Sequence, residues 1–246
     1  MSTTRARYKN GMIEYYNNVT QQVVDVVAPV KFYDEFLGYQ PHLSETGSKA
    51  PWLTVEVALN TGIALVAATG NGVLGLIMDG DVNAEDAVLY AGDQLSFNLK
   101  ALASIQFRAA IATLPTLTGQ IVLGVGSAHN LDKDAMTVNA WFKFDGSGDV
   151  VCETDDTGTD NDDKASGATT IVAGAYHNYR IDFGDLTSVK FYLDGERVAA
   201  ATTFDMSTLT DAEALVQPYF SLDKDADAGV GSLYLDSVLL WSHASA

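Results

Sequence analysis

The feature that most constrains this chain is a recurring short run of β-prone residues. Runs rich in Val, Ile, Phe, Tyr, Trp and Leu follow one another from Val30 to Trp241, and each is closed by Gly, Asp, Asn or Pro. Short apolar runs bounded by turn residues are typical of strands. We therefore expect an all-β chain, and the scarcity of helical pattern excludes parallel βαβ architectures.

The segment from Val138 to Phe144 shows the strand pattern most clearly. Its apolar residues alternate with Asn139, Trp141 and Lys143. Alternation with a period of two places the two sets on opposite faces of a strand. We expect one face in the core and the other face wet or against a partner.

Two local signals lie in the C-terminal third. Asp194-Gly195 separates two β-prone runs and supplies the positive φ angles of a tight hairpin turn. Ser207 or Thr208 can cap a helix, so we predict a short helix that runs to about Leu215.

The domain organisation follows from a change of pattern near residue 29. Residues 1–29 fit neither the helical nor the strand period well, and Pro29 then precedes the first strong strand. We expect an N-terminal extension over 1–29, which packs on the domain or on a neighbour, and one β-sandwich domain over 30–246. A chain of 246 residues is long enough for one sizeable core.

The net charge of the chain limits which partners it can bind. The chain has 32 acidic and 14 basic residues and a formal net charge of −18, so phosphate backbones and anionic membranes should repel it. The first residues lack the apolar segment of a signal peptide, and no stretch reaches the roughly 18 apolar residues of a membrane span. We expect no nucleic acid partner and no membrane partner. We also expect a protein that stays in the cytoplasm where it is made or is assembled there into something larger.

One basic segment stands out against this acidic background. Arg5, Arg7 and Lys9 precede the first acidic residue, Glu14. Such a segment is either a solvated terminus or an arm that docks on an acidic neighbour, and we carry these three residues forward as a candidate partner-binding site.

Two acidic segments are candidates for calcium, which prefers several oxygen ligands close together. Asp223, Asp225 and Asp227 alternate, so their carboxylates can converge if the chain curls, although the spacing departs from an EF-hand loop. A similar run, 79–85, contains Asp79, Asp81, Asn83 and Glu85, with a surface turn as its alternative. We expect no cofactor, with calcium at one of these segments as the alternative.

A longer acidic stretch lies between Asp145 and Asp163, where eight acidic residues occur without a basic one. It is interpreted as a solvated acidic loop rather than a calcium site. A glycosidase needs two carboxylates that face one another across the scissile bond. Glu153 and Asp155 would share a strand face, but the third acid of the glucanase pattern is missing.

Other catalytic signatures are missing from the sequence. The four histidines show no metal-binding spacing, and no nucleophile elbow occurs. Cys152 cannot form an internal disulfide and has no adjacent basic residue, so it is interpreted as an ordinary strand position. The glycines Gly70, Gly72 and Gly75 have dinucleotide-binding spacing, but a strand follows them where a helix is required. We predict no catalytic residues.

Three segments resemble concanavalin A-like jelly rolls: KFYDEFLG at 31–38, YHNYRIDFGDLTSVKFYLDGERVA at 176–199 and GSLYLDSVLLW at 231–241. The resemblance spans about residues 30 to 243 and implies an antiparallel jelly-roll β-sandwich with an N-terminal extension. The superfamily holds lectins, glucanases, laminin-G modules and phage virion proteins. The segments RARYKNGMIEYYNN and EDAVLYAGDQLSFN look most like the phage members.

The resemblance implies a phage virion structural protein, a capsid decoration or cement protein on the outer surface of the head. Its expected partners are the major capsid protein, other virion proteins and further copies of itself, and its expected location is the virion, assembled in the host cytoplasm. One alternative is a lectin-like module of a tail or fibre that binds glycans. Another is a glucanase-like hydrolase, for which Glu153 would be required.

Overall fold

The computed structural model describes residues 4–9, 12–28, 30–37, 43–44, 51–57, 62–66, 72–145, 149–167 and 171–242. His42, Gly70 and His243, named above, lie outside these residues. The strands, in chain order, are β1 (Thr4–Lys9), β2 (Met12–Asn17), β3 (Val23–Val27), β4 (Val30–Asp34), β5 (Leu43–Ser44), β6 (Trp52–Val57), β7 (Gly62–Leu65), β8 (Leu74–Met78), β9 (Glu85–Tyr90), β10 (Phe97–Asn98), β11 (Leu102–Thr113), β12 (Gln120–Gly126), β13 (Asn139–Phe144), β14 (Val150–Asp155), β15 (Asp160–Ala165), β16 (Tyr176–Asp182), β17 (Lys190–Leu193), β18 (Glu196–Val198), β19 (Leu215–Lys224) and β20 (Gly231–Ser242).

These strands form three sheets. The large sheet has the order β15-β14-β13-β12-β19-β9-β6-β5, and β10 also pairs with β19. The back sheet has the order β18-β17-β16-β11-β20-β8-β7, and β4 also pairs with β20. The N-terminal sheet has the order β1-β2-β3. The described pairs are antiparallel except β5 with β6, and the chain is a jelly-roll β-sandwich, as the sequence predicts.

The core lies between the large sheet and the back sheet. Phe107 and Tyr179 of the back sheet stack with ring centroids 5.3 Å apart. Phe142 and Phe220 of the large sheet meet Phe107 edge to face at 6.1 and 5.4 Å. Offset and edge-to-face contacts are the favoured arrangements of aromatic rings, so this cluster joins the two sheets firmly.

Several local predictions are confirmed. Asp194 and Gly195 have φ angles of +50° and +89°, and they connect β17 to β18 in the predicted hairpin. Cys152 is a free, buried residue of β14. The glycine motif leads into β8, a strand, as expected from its context.

The predicted helix from Ser207 to Leu215 is wrong. The segment contains turns, and a single hydrogen bond from the Ala214 amide to the Thr210 carbonyl closes one of them. Thr210 and Glu213 exchange the bonds of a helix cap, with the Thr210 amide 2.8 Å from Glu213 Oε2. The helix does not extend because Leu215 already pairs with β10 as the first residue of β19.

Two other expectations need correction. The acidic stretch from Asp145 to Asp163 is not a loop, because β14 and β15 form an antiparallel hairpin within it. Its turn is held by Asp156, whose side chain accepts a hydrogen bond from the Gly158 amide at 2.9 Å. The second face of β13 is not wet either, because Asn139 and Trp141 are buried.

The N-terminal segment contains three strands that the sequence did not predict. Its sheet packs on the back sheet through Val23 and Val26, which contact Ala103, Leu239 and Trp241. The boundary at residue 29 stays a prediction. In the described part of the chain, no helix is long and apolar enough to cross a membrane.

Candidate functional site

The outer face of the large sheet, which points away from the core, carries packed aromatic rings and buried charged side chains. Trp141 on β13 and Tyr219 on β19 both lie opposite Gly124 of β12. Their rings meet across this glycine with centroids 6.2 Å apart. A Cβ at Gly124 would lie 2.2 Å from the Ala140 carbonyl oxygen and 2.7 Å from the Trp141 Cα, so the backbone here has no room for a side chain.

The closing loop, residues 127–138 between β12 and β13, covers this aromatic face. His129 lies with its ring 6.0 Å from that of Tyr219, and its Nδ1 is 2.8 Å from the tyrosine hydroxyl. Burial, and secondarily Lys133, lowers the pKa of His129 below its ordinary value. Met136 of the same loop is buried against the cluster that contains Trp141. The aromatic surface is therefore filled by the chain itself.

Lys133 fixes the closing loop to the sheet. Its Nζ lies 3.2 and 3.1 Å from the two carboxylate oxygens of Asp86 on β9, and it also donates to the carbonyls of Asn130 and Leu131. The side chain of Lys133 is 2% exposed. Burial raises the pKa of Asp86 to about 6, although Lys133 opposes this change. A buried ion pair with extra hydrogen bonds holds the loop in one position.

The two acids of the hydrolase hypothesis lie on this same outer face. Glu153 is opposite Trp141, and Asp155 is opposite Asn139. Burial raises the pKa of Glu153 to about 7, and Lys143, 3.7 Å away, partly offsets it. Burial and then the neighbouring Asp160 raise the pKa of Asp155 to about 6. A carboxyl group that is neutral near pH 7 suits a general acid, but the Glu153 side chain is 2% exposed and so is closed to a polymer substrate.

The structure does not bring the carboxylates of Asp223, Asp225 and Asp227 together. Asp223 accepts a hydrogen bond from Gln120 Nε2 at 2.8 Å, and burial raises its pKa. Asp227 accepts bonds from the amides of Thr118 at 3.1 Å and Gly229 at 2.6 Å. Asp225 is exposed.

The two predicted calcium segments, 79–85 and 223–229, do meet in space, and the group that joins them is the ammonium of Lys224. Within the part of the chain that the structure describes, no group of three His, Cys, Asp or Glu residues is placed to hold a metal ion. Calcium at Asp223, Asp225 and Asp227 stays a prediction that this geometry does not favour.

An acidic pocket of about 590 Å³ lies beside the closing loop. Its lining includes Asp86, Gln120, Lys133, Asp223 and Asp225. The three sheet carboxylates of the lining already have partners within the chain: Glu85 pairs with Lys224, and Asp86 and Asp223 accept hydrogen bonds. The pocket has polar and apolar walls and is open to solvent, in contrast to the filled aromatic surface next to it.

The three basic residues near the N-terminus lie on β1, and Arg5 and Arg7 do not form one free patch. Arg7 Nε is 2.7 Å from Glu14 of β2, and its guanidinium lies 4.6 Å from the ring centroid of Tyr16. Arg5 is exposed, and Lys9 ends the strand. Arg7 is therefore used within the N-terminal sheet, and whether this segment binds a partner stays untested.

Gln106 of the back sheet attaches the N-terminal sheet. Its side-chain amide accepts from the Val23 amide and donates to the Val23 carbonyl, both at 3.0 Å. On the exposed parts of the N-terminal sheet, Ile13 and Tyr15 are each 40% exposed and Val24 is 54% exposed. Exposed apolar residues grouped on a small sheet are typical of a contact surface.

No protein-family model matches this chain, and no curated protein matches it in sequence. Solved structures share its fold at low identity. A protein of unknown function from Shewanella oneidensis MR-1 is 12% identical over 86% of each chain, with a TM-score of 0.57. The potassium-bound carbohydrate recognition domain of Emp46p is 9% identical and covers 86% of this chain and 96% of its own, with a TM-score of 0.53. A β-glucanase from Bacillus licheniformis is 12% identical and covers 86% and 97%, with a TM-score of 0.52.

These likenesses establish the fold. The chain is a jelly-roll β-sandwich of the type found in concanavalin A-like lectins and glucanases, as the sequence segments at 31–38, 176–199 and 231–241 predict. At identities of 9 to 14%, neither the ligand nor the reaction of a similar structure can be transferred to this chain.

Lys133 and Lys224 organise the outer face and its rim, and neither residue was predicted from the sequence. A lysine in a polar segment is usually solvated, so neither position stood out. For Lys224 a signal existed, because it lies between Asp223 and Asp225 in a segment already assigned to cation binding.

Proposed function

We propose that this chain is a non-catalytic structural protein of a phage particle, a decoration protein on the outer surface of the head. The observation that carries the proposal is the closing loop. Because Lys133, His129 and Met136 cover the aromatic part of the outer face of the large sheet, the described residues leave no groove open over Trp141 and Tyr219 for a polymer. The resemblance of the N-terminal segment to phage virion members points to the particle as its location.

The N-terminal sheet is the proposed attachment surface. Ile13, Tyr15 and Val24 are exposed on it, and Arg5 adds a positive charge to a chain of net charge −18. Such a surface suits an acidic capsid protein that offers an apolar contact. Small contacts become strong when they are repeated over a symmetric shell, so each copy needs only a modest interface.

Immunogold electron microscopy of particles purified from the source lysate tests the location. We expect label distributed over the head. Label confined to the tail would favour a host-binding module instead, and unlabelled particles would remove the virion proposal.

A variant pair tests the attachment surface. A tagged chain is expressed in infected cells as wild type, as the double variant Ile13→Asp/Tyr15→Asp, or as the control Val82→Asp/Leu117→Asp. The control residues are exposed at 71% and 70% and lie outside the N-terminal sheet. We expect purified particles to incorporate the wild type and the control and to lack the first variant. Equal incorporation of all three would overturn this choice of surface.

A second candidate function is carbohydrate binding by a tail or fibre module. The acidic pocket favours it, because Gln120, Asp223 and Asp225 can accept or donate hydrogen bonds to hydroxyl groups. A glycan array with and without a chelator tests it, with Asp225→Asn as the site variant. Specific binding that this variant abolishes would replace the decoration proposal.

Hydrolysis of a polysaccharide is the third candidate, and the raised pKa of Glu153 is its one favourable observation. A panel of β-glucans is incubated with the chain, and new reducing ends are measured. We expect none. Release of reducing ends that Glu153→Gln abolishes would establish an enzyme.

A further inference from the structure

Lys224 places its ammonium inside a shell of oxygen atoms. The side chain is 0% exposed, and Glu85 Oε1, 3.3 Å away, contributes one carboxylate oxygen. The remaining oxygens are backbone carbonyls from two loops: Asp79 at 2.9 Å, Asp81, Asp227 at 3.1 Å and Gly229 at 3.0 Å.

This shell resembles the coordination of a metal ion more than an ordinary salt bridge. An ammonium has three N–H donors, yet five oxygens from two loops and one strand surround Lys224. Backbone carbonyls and carboxylates are the ligands that hard cations use in proteins. The loops converge on a positive charge, and the chain supplies that charge itself.

Distance and charge indicate which free ion such a shell would accept. Four of the five contacts are 2.9 to 3.3 Å long, which is longer than the roughly 2.3 to 2.6 Å of calcium to oxygen, and the contact to the Asp81 carbonyl is 2.5 Å. Glu85 is the one side-chain carboxylate among the five contacts, so a single positive charge balances the shell. A large monovalent cation, similar in size to ammonium, fits both facts.

We propose that the loops 79–84 and 225–230 form a cation site of potassium size that is permanently occupied by the Lys224 ammonium. The native protein therefore orders both loops, which border the acidic pocket, without a metal ion. Removing the side chain at Lys224 creates a site for potassium.

Thermal unfolding of purified full-length variants tests this proposal. Lys224→Ala leaves the shell empty, and Lys224→Met fills it without a charge. In buffers of equal ionic strength made with potassium chloride or choline chloride, we expect potassium to raise the Tm of Lys224→Ala by several degrees. The rise should grow with the logarithm of the potassium concentration, because binding stabilises the folded state by mass action. The wild type and Lys224→Met should show no difference between the two salts.

The double variant Lys224→Ala/Glu85→Gln should lose the response to potassium. No response of Lys224→Ala to potassium, or a response to calcium alone, would overturn the proposal.

A measurement on the wild type keeps the proposal testable if Lys224→Ala does not fold in either salt. In ¹⁵N NMR of the native chain at neutral pH, we expect one slowly exchanging ammonium signal that disappears in Lys224→Met. The signal should persist after dialysis against a chelator. A rapidly exchanging Lys224 ammonium would show that the shell does not hold the cation, and the proposal would then fail.

Discussion

Lys133 and Asp86 are 47 residues apart in sequence, and their charged groups meet at 3.1 Å in a nearly solvent-free position on the outer face of the large sheet. The pair connects the closing loop to β9. It thereby helps to hold the loop that covers Trp141 and Tyr219.

Replacing Lys133 by Met should destabilise the chain markedly. The Asp86 carboxylate would then be buried without its cation, and breaking a buried pair in this way typically costs about 3 to 5 kcal/mol. Denaturation in urea at pH 7.5 measures the loss in the free energy of unfolding. Lys100→Met is the matched control, because Lys100 pairs with Asp211 on the surface, and we expect a change below about 1 kcal/mol there. Equal effects of the two variants would mean that Lys133 does not anchor the loop.

Replacing Glu153 by Gln should stabilise the chain at alkaline pH. Burial raises the pKa of Glu153 from 4.5 to about 7 in the folded state, so the folded chain holds this proton more tightly than the unfolded chain. Wild-type stability should therefore fall as pH rises from about 4.5 through 7, and Gln removes that loss. The gain should be about 3 kcal/mol at pH 8 and vanish below pH 4.5.

The exposed Glu196 provides the control for this pH dependence. Glu196→Gln should change stability little at any pH. A Glu153→Gln variant that follows the wild-type pH profile would show that Glu153 is not desolvated.

Gly124 should not tolerate a side chain. A Cβ there would collide with the backbone of Ala140 and Trp141, so Gly124→Ala should lower the free energy of unfolding by about 2 to 3 kcal/mol. Gly62 on β7 has no atom within 4 Å of an added Cβ, and Gly62→Ala should be neutral or slightly stabilising. Similar stabilities of the two variants would contradict the close contact of β12 with β13.

Gln106→Ala should loosen the N-terminal sheet. It removes both hydrogen bonds to the Val23 backbone, at about 1 kcal/mol each. Hydrogen exchange followed by mass spectrometry should show faster exchange in 12–27 and little change in β11 to β20. Gln94→Ala, at an exposed position, serves as the control. Unchanged exchange in 12–27 would mean that Gln106 does not attach the sheet.

The sandwich could be predicted from sequence because its core strands carry the pattern that burial requires. Val138 to Phe144 alternates, and its Ala140, Phe142 and Phe144 do pack in the core. The hairpin at Asp194-Gly195 follows from local backbone preference alone. Such signals are local, so one sequence is enough to find them.

The missed strands depend on partners more than on their own residues. β15 has the sequence DNDDKA, which disfavours a strand, and it forms because β14 pairs with it across a short turn. In β1, Arg5 and Arg7 alternate with Ala6. This is the period of a strand, but the charged residues hid it because a strand is usually recognised by alternating apolar residues. To predict that the outer face is filled, one must know where the loop of residues 127–138 folds. No local sequence pattern specifies that position.

Acrylamide quenching of tryptophan fluorescence tests the closed outer face most directly. Trp52, Trp141 and Trp241 are each 0% exposed, and Met136 of the closing loop packs in the same cluster as Trp141. We expect native quenching far below that of the chain unfolded in guanidinium, with no readily quenched fraction. A readily quenched fraction that Trp141→Phe removes would show an open aromatic groove and contradict the proposed non-catalytic structural role.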